Sequence, residues 1–140
     1  MRGWANETDS AVRELYERSG YTLVRYSYRM EIDLGNEVRE PALPQAISTR
    51  TATADDYRAV YDAAVEVWQD TNDPIDETFD EWAHWHIERD SHDPTLWFLA
   101  LADDELSGFA LGRTDPVDPH AGYVSMLGVR RAWRRQGLGE

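Results

Sequence analysis

The sequence predicts an α/β fold in which helices flank a β-sheet. Three observations point there. From Ile47 onward, strand-like and helix-like stretches follow in the order strand, helix, helix, two strands, strand. Residues 1–34 carry a separate helix-then-strand pattern ahead of that series. Hydrophobic residues make up 41% of the 140, with six Trp and seven Tyr among them, which is enough apolar surface for one core.

The elements follow in order. Val12, Leu15, Tyr16 and Ser19 recur at i, i+3, i+4 and i+7, with Thr8 or Asp9 available as N-cap and Gly20 just past the end. Tyr21 to Asp33 is rich in β-formers and reads as one strand or as two with a break near Tyr26. Gly35, Pro41 and Pro44, with few apolar neighbours, mark residues 35–46 as a linker. Ile47 to Thr51 then reads as a short strand, and Thr53 with Asp56 as a capping box. Tyr57, Val60, Tyr61, Ala64, Val65 and Trp68 share one helical face. After Asn72-Asp73-Pro74, a second helix carries Phe79, Trp82, Ala83, His86 and Ile87 on one face. Thr95 to Ala102 and Glu105 to Gly112 are strands joined by an Asp103-Asp104 hairpin turn. A loop from Thr114 to His120 holds Pro116 and Pro119.

The last stretch carries the chemistry. Tyr123 to Val129 is a short apolar run suited to a buried strand. Arg130, Arg131, Arg134 and Arg135 follow within six residues, and Gly137 and Gly139 then flank Leu138. Glycines let backbone N–H groups approach an anion, a helix N-terminus favours negative charge, and arginines add charge-assisted hydrogen bonds. The stretch reads as a phosphate or pyrophosphate cradle, against the plainer alternative of a solvated basic turn.

Leu127-Gly128-Val129, a four-residue spacer and Arg134-Arg135-Gln136-Gly137-Leu138-Gly139 together resemble the acetyl-CoA motif of the GCN5-related N-acetyltransferase (GNAT) superfamily. That motif runs strand, L-x-V, loop, then Q/R-x-x-G-x-G/A opening a helix. The stretch Asn6 to Tyr21 is similar to the family's C-terminal motif, N-x-x-A-x-x-L-Y-E-x-x-G-F, departing from it at Asp9 and at Tyr21. The resemblance implies a GNAT-type mixed sheet with flanking helices, incomplete at its C-terminal end, and an acetyl-CoA-dependent N-acetyltransferase in which an amine attacks the thioester directly. It implies that Leu127, Gly128 and Val129 run beside the pantetheine arm. Arg134, Arg135, Gln136, Gly137, Leu138 and Gly139 would then hold the pyrophosphate. Tyr16 stands at the family's position for the general acid that protonates the departing CoA thiolate; the alternative is a tyrosine on the buried face of its helix.

The two resemblances come in reversed order. Residues 1–34 match the C-terminal portion of one module, and residues 47–140 match the N-terminal portion of a GNAT domain ending at the pyrophosphate loop. A window across a tandem GNAT protein accounts for this, with a permuted single module as the alternative. On either reading the phosphate-binding helix that the motif opens is not reached, so the chain alone is expected to bind acetyl-CoA weakly and to be inactive. A non-catalytic acetyl-CoA-binding or structural module remains the rival function.

Composition narrows the partners. The formal net charge is −13, and residues 47–120 hold 18 acids against 4 arginines. A surface this acidic repels nucleic acid and anionic membranes. Residues 121–140 reverse the sign, with 4 arginines against one acid, as an anionic co-substrate would require. No lysine and no cysteine occur, which excludes a cysteine nucleophile and a cysteine-based metal site within the chain. With no signal-like segment and no apolar run long enough to span a membrane, a cytoplasmic location is expected. The acceptor is expected to be a small-molecule amine or a peptide N-terminus, with a second GNAT module or a homodimer as pairing partner.

Other constellations weigh less. His84 and His86 lie two apart on a helix and point to nearly opposite faces, so one faces the core and one solvent, and no metal is expected. Trp68, Trp82, Trp85 and Trp97 line an acceptor pocket or pack the core. No general base is assigned, because Tyr123 occupies the strand position where the superfamily places a carboxylate. Ser125 shares that strand face by alternation, and Asp118 and His120 lie on the preceding loop.

Overall fold

A computed structural model describes residues 3–35, 43–44, 46–115, 118 and 120–139. The linker expected over 35–46 and Pro116 and Pro119 of the expected loop fall largely or wholly outside these residues. The chain divides into two compact units, Met1–Arg39 and Glu40–Glu140.

In the first unit, α1 spans Ser10–Arg18. Asp9 caps it, its carboxylate accepting from the Val12 N–H at 3.1 Å, and Gly20 takes φ +79° just beyond the end. Tyr16 packs against Tyr21, with ring centroids 5.1 Å apart. The strand expected over Tyr21 to Asp33 does not form. A strand needs a neighbour to receive its N–H and C=O groups, and none pairs with these residues among those described. Leu23, Val24, Tyr28, Met30 and Ile32 consequently stand exposed.

The second unit is a four-stranded sheet in the order β1-β2-β3-β4, with β1 at Ile47–Thr51, β2 at Trp97–Ala102, β3 at Glu105–Thr114 and β4 at Gly122–Val129. All three pairings are antiparallel, so the parallel part of a mixed sheet is not among the described strands. Helices α2 (Tyr57–Trp68) and α3 (Phe79–His86) connect β1 to β2. Asp103 and Asp104 take φ +47° and +66°, as a two-residue turn requires to follow the strands' twist.

Alternation puts Trp97 and Leu99, Phe109 and Leu111, and Met126 on one face of the sheet, where they meet Val60, Ala63 and Ala64 of α2 and Trp82 of α3. Trp82 is fully buried, with Tyr61, His86 and Trp97 rings at 5.8, 4.8 and 5.9 Å. Gly128 has a packing reason. A Cβ there would stand 2.7 Å from Cζ of Phe109 and 3.2 Å from Cγ1 of Val67, so a side chain would lift α2 off the sheet.

Two bulges interrupt the ladder, each at a serine. Between the pairs Ala100–Gly108 and Leu101–Leu106, Ser107 has no opposite residue, and its hydroxyl donates to the Ala100 carbonyl at 2.9 Å. Between Leu111–Met126 and Gly112–Val124, Ser125 is the extra residue, and its hydroxyl donates to the Leu111 carbonyl at 2.9 Å. In each case the side chain replaces a backbone donor that the bulge removes.

Candidate functional site

β4 ends the sheet, and its far edge has no neighbouring strand among the described residues. The Arg130 N–H donates to the Ser107 carbonyl at 2.9 Å, so by alternation Gly128 and Met126 turn their backbone groups toward β3. Leu127 and Val129 turn theirs toward the open edge. The Val129 carbonyl does lie there, taking a hydrogen bond from Nε of Arg134 at 3.0 Å.

The turn after β4 is held by the acids of α2. The Glu66 carboxylate accepts from Nε of Arg130 at 2.8 Å and from the Arg131 N–H at 2.9 Å. Asp70 accepts from Nε and Nη2 of Arg131 at 2.9 and 2.8 Å, and from Nη1 of Arg134 at 2.7 Å. Three of the four arginines therefore fasten the loop to its own domain. Arg135, at φ +62°, has no ion-pair partner among the described residues.

Beyond them, the N–H groups of Gly137, Leu138 and Gly139 make no hydrogen bond among the described residues. Gly137 takes φ +84°, which favours glycine. Leu138 anchors the turn: its Cδ2 lies 3.6 Å from where a Gly108 side chain would begin, on the sheet face opposite the helices. Between Val129, Trp133, Arg135 and the two glycines lies an open pocket of about 300 Å³. A short 3-10 turn at Arg131–Trp133 precedes it.

Hydrogen bonds from Arg131, and then from Arg134, hold the Asp70 carboxyl well below the usual carboxylate range. Burial alone would raise Glu66, but the bonds from Arg130 and Arg131 outweigh it and leave it lowered. Asp56 is likewise held low, chiefly by the Arg50 guanidinium at 2.7 Å and by the Thr53 cap. Lowered carboxyl pKa values stabilise the fold fully above the unfolded values, and that contribution is lost as pH falls through the folded ones. The share of the melting temperature that these carboxylates supply should thus be level above about pH 5 and fall below about pH 4. Asp70→Asn should flatten that fall; thermal melts of both proteins across the range check it, and an unchanged acid limb would show that Asp70 carries none of it.

A second pocket, of about 220 Å³, opens beside the β4 bulge. Trp85, His86, Arg89, His92, Arg113 and Tyr123 supply most of its side chains, with Ser125 at the bulge. Tyr123 and Ser125 do line one cavity, but the bulge sets this rather than simple alternation. His92 shares a 2.8 Å hydrogen bond with the Tyr57 hydroxyl through Nε2, while its Nδ1 is buried without a partner. Burial lowers the pKa of both histidines, helped at His86 by Arg89 and opposed at His92 by Asp93. His84 is exposed and pairs with Glu88, while His86 lies on Trp82, so the two histidines face apart as the helical spacing requires.

A family model described as acetyltransferase (GNAT) family matches residues 55–140. The chain belongs to this family. Its members use acyl-CoA as co-substrate and act on amine acceptors. A GCN5-related N-acetyltransferase from Sphaerobacter thermophilus is 28% identical with a TM-score of 0.67, covering 94% of this chain and 40% of its own. A putative acetyltransferase from Pyrococcus horikoshii shares the fold at 19% identity and a TM-score of 0.55, over 75% of this chain and 34% of its own. The chain thus spans well under half the length of either. No curated protein matches it.

Within this GNAT domain the residues singled out in the sequence have distinct places. Leu127 and Val129 face the open edge, Gly128 serves packing, Arg134 closes the loop, and Arg135, Gly137 and Gly139 border the loop pocket. The Gln136 side-chain amide donates to the Ala132 carbonyl at 3.1 Å. Tyr16 belongs to the first unit. The tryptophans divide: Trp82 is core, Trp68 stacks on Phe109 at 6.5 Å, and Trp85 and Trp97 line the second pocket. His86 and His92 in one pocket with Tyr123 escaped the sequence, since only the fold brings the end of α3 beside β4.

Proposed function

We propose that this domain binds acetyl-CoA along β4 and transfers the acetyl group to an amine. The observation that carries the reading is the open edge of β4, which runs from the second pocket at Tyr123 to the loop pocket at Val129, roughly 20 Å of extended backbone. An extended pantetheine arm lies naturally against such an edge, accepting and donating at Leu127 and Val129. The pyrophosphate then meets Arg135 and the N–H groups of Gly137, Leu138 and Gly139, which are unbonded among the described residues, while Arg134, Gln136 and the acids of α2 hold the turn in shape. In the reaction the amine nitrogen forms its bond to the acetyl carbon, the C–S bond breaks, and CoA leaves as thiolate. A strand N–H polarises the carbonyl.

His86 takes the proton that the amine must lose. It lines the second pocket, makes no hydrogen bond among the described residues, and is biased toward the neutral form, whereas both nitrogens of His92 are engaged or buried. Tyr16 as acid for the thiolate rests on the sequence resemblance alone. The break between units after Arg39 lies inside the stretch read as linker, which supports a tail of one GNAT module joined to the head of another. A cytoplasmic location goes with this reading. The rival, a binding module without catalysis, draws on the absence of any carboxylate from the second pocket's lining among the described residues.

Release of CoA thiol by a protein that continues through the phosphate-binding helix is the test, followed with a panel of primary amines alongside calorimetric titration of acetyl-CoA. Binding with amine-dependent release is expected, with His86→Gln depressing the rate but not the binding. Binding without release would favour the rival, and no binding at all would leave a structural module.

A further inference from the structure

We infer that the second pocket selects an amine that also carries an anionic group, carboxylate or phosphate, beside a flat apolar body. The inference rests on the acetyl-transfer reading and adds the acceptor's charge to it. The chain has 27 acids against 14 arginines, yet among the described residues no carboxylate lines this pocket, and two arginines do. Elsewhere in this domain, Arg135 of the loop apart, the guanidinium groups are matched: Arg50 with Asp56, Arg58 with Asp62, Arg130 with Glu66, and Arg131 and Arg134 with Asp70. Arg89 and Arg113 have no acid partner among the described residues. Each instead lies over an aromatic ring of the same cavity, Arg89 at 5.0 Å from the Trp85 centroid and Arg113 at 4.6 Å from the Tyr123 centroid.

Such stacking holds a guanidinium in place while leaving its N–H edge available to an oxyanion. The two histidines beside them are biased toward the neutral form, so the pocket's fixed charge is the pair of arginines. An acceptor with only a protonated amine meets like charge there. One with a carboxylate or phosphate meets two planar donors and keeps its amine free to point along the bulge at Ser125, toward the end of β4 where the thioester would lie. The aromatic faces of Trp85 and Tyr123 suit a flat or apolar body between the two charges.

Equilibrium binding, measured by tryptophan fluorescence and calorimetry on the whole chain without acetyl-CoA, tests this with matched probes. Tryptophan against tryptamine isolates the carboxylate, and phosphoethanolamine against ethanolamine isolates the phosphate. In at least one pair the anionic member should bind roughly tenfold or more tighter, as charge-assisted bonds to two guanidinium groups require. Arg89→Gln and Arg113→Gln should each erode that preference, while Arg89→Lys retains part of it. Neither arginine is ion-paired among the described residues, so melting temperatures should barely move. Equal binding within both pairs, no binding by any probe, or a preference that survives the double glutamine variant would each overturn the inference. Because no acetyl donor is present, a failure of acetyl transfer leaves this result readable.

Discussion

In a protein that continues through the phosphate-binding helix, replacing Gly137 by valine is expected to weaken acetyl-CoA binding by roughly ten- to a hundredfold, the loss of one or two charge-assisted hydrogen bonds. At φ +84° the backbone is in the left-handed region, where a β-branched residue costs about 1–2 kcal/mol or forces the turn to flip. A Cβ there meets no protein atom within 4 Å, so the new side chain stands in the loop pocket and not in the core. Either response removes the free N–H groups from the anion's path. Folding should suffer far less, since the turn is exposed and its anchors at Glu66, Asp70 and Leu138 are untouched. Calorimetry for affinity and thermal melts for stability separate the two effects. Parallel losses in both would mean that Gly137 is only a structural turn.

Trp82→Ala should act in the opposite way, lowering unfolding free energy by about 3–5 kcal/mol. Trp82 is fully buried between α2, α3 and β2, and its ring meets four aromatic neighbours. Its removal leaves a cavity that a sheet and two short helices cannot close. Trp82→Phe should cost much less, because the indole N–H is buried without an acceptor and phenylalanine removes that unmet donor along with the ring. Urea titration of both variants measures the difference. Near-equal losses would show that the orphaned N–H is satisfied in solution.

Much of the second unit was legible because its signals are local. The capping box at Thr53 and Asp56, the paired aspartates of the hairpin and the bounds of β1 each depend on a few adjacent residues. The strand at Tyr21 to Asp33 was read wrongly for the same reason: β-propensity describes one side of a pairing, and the partner is what makes a strand. The bulges at Ser107 and Ser125 carry no sequence mark, since a serine becomes a bulge only when the facing strand is one residue shorter. In the sequence the loop arginines stand out as a basic patch, but nothing there points to their acid partners. Their partners Glu66 and Asp70 lie more than 60 residues away, and only the packing of α2 across β3 and β4 brings them in.

The clamp between α2 and the loop is built entirely from guanidinium groups, and the 140 residues contain no lysine. An ammonium at Arg131 or Arg134 would lose charge at alkaline pH and, as a free amine, could take an acetyl group from a thioester in solution. Arginine does neither. These 140 residues thus offer a thioester no side-chain amine to modify, and the fastening of the loop cannot be silenced by acetylation. Internal peptides of the chain should therefore keep their unmodified masses after prolonged incubation with acetyl-CoA, whereas an Arg131→Lys variant should gain one acetyl group and a looser loop.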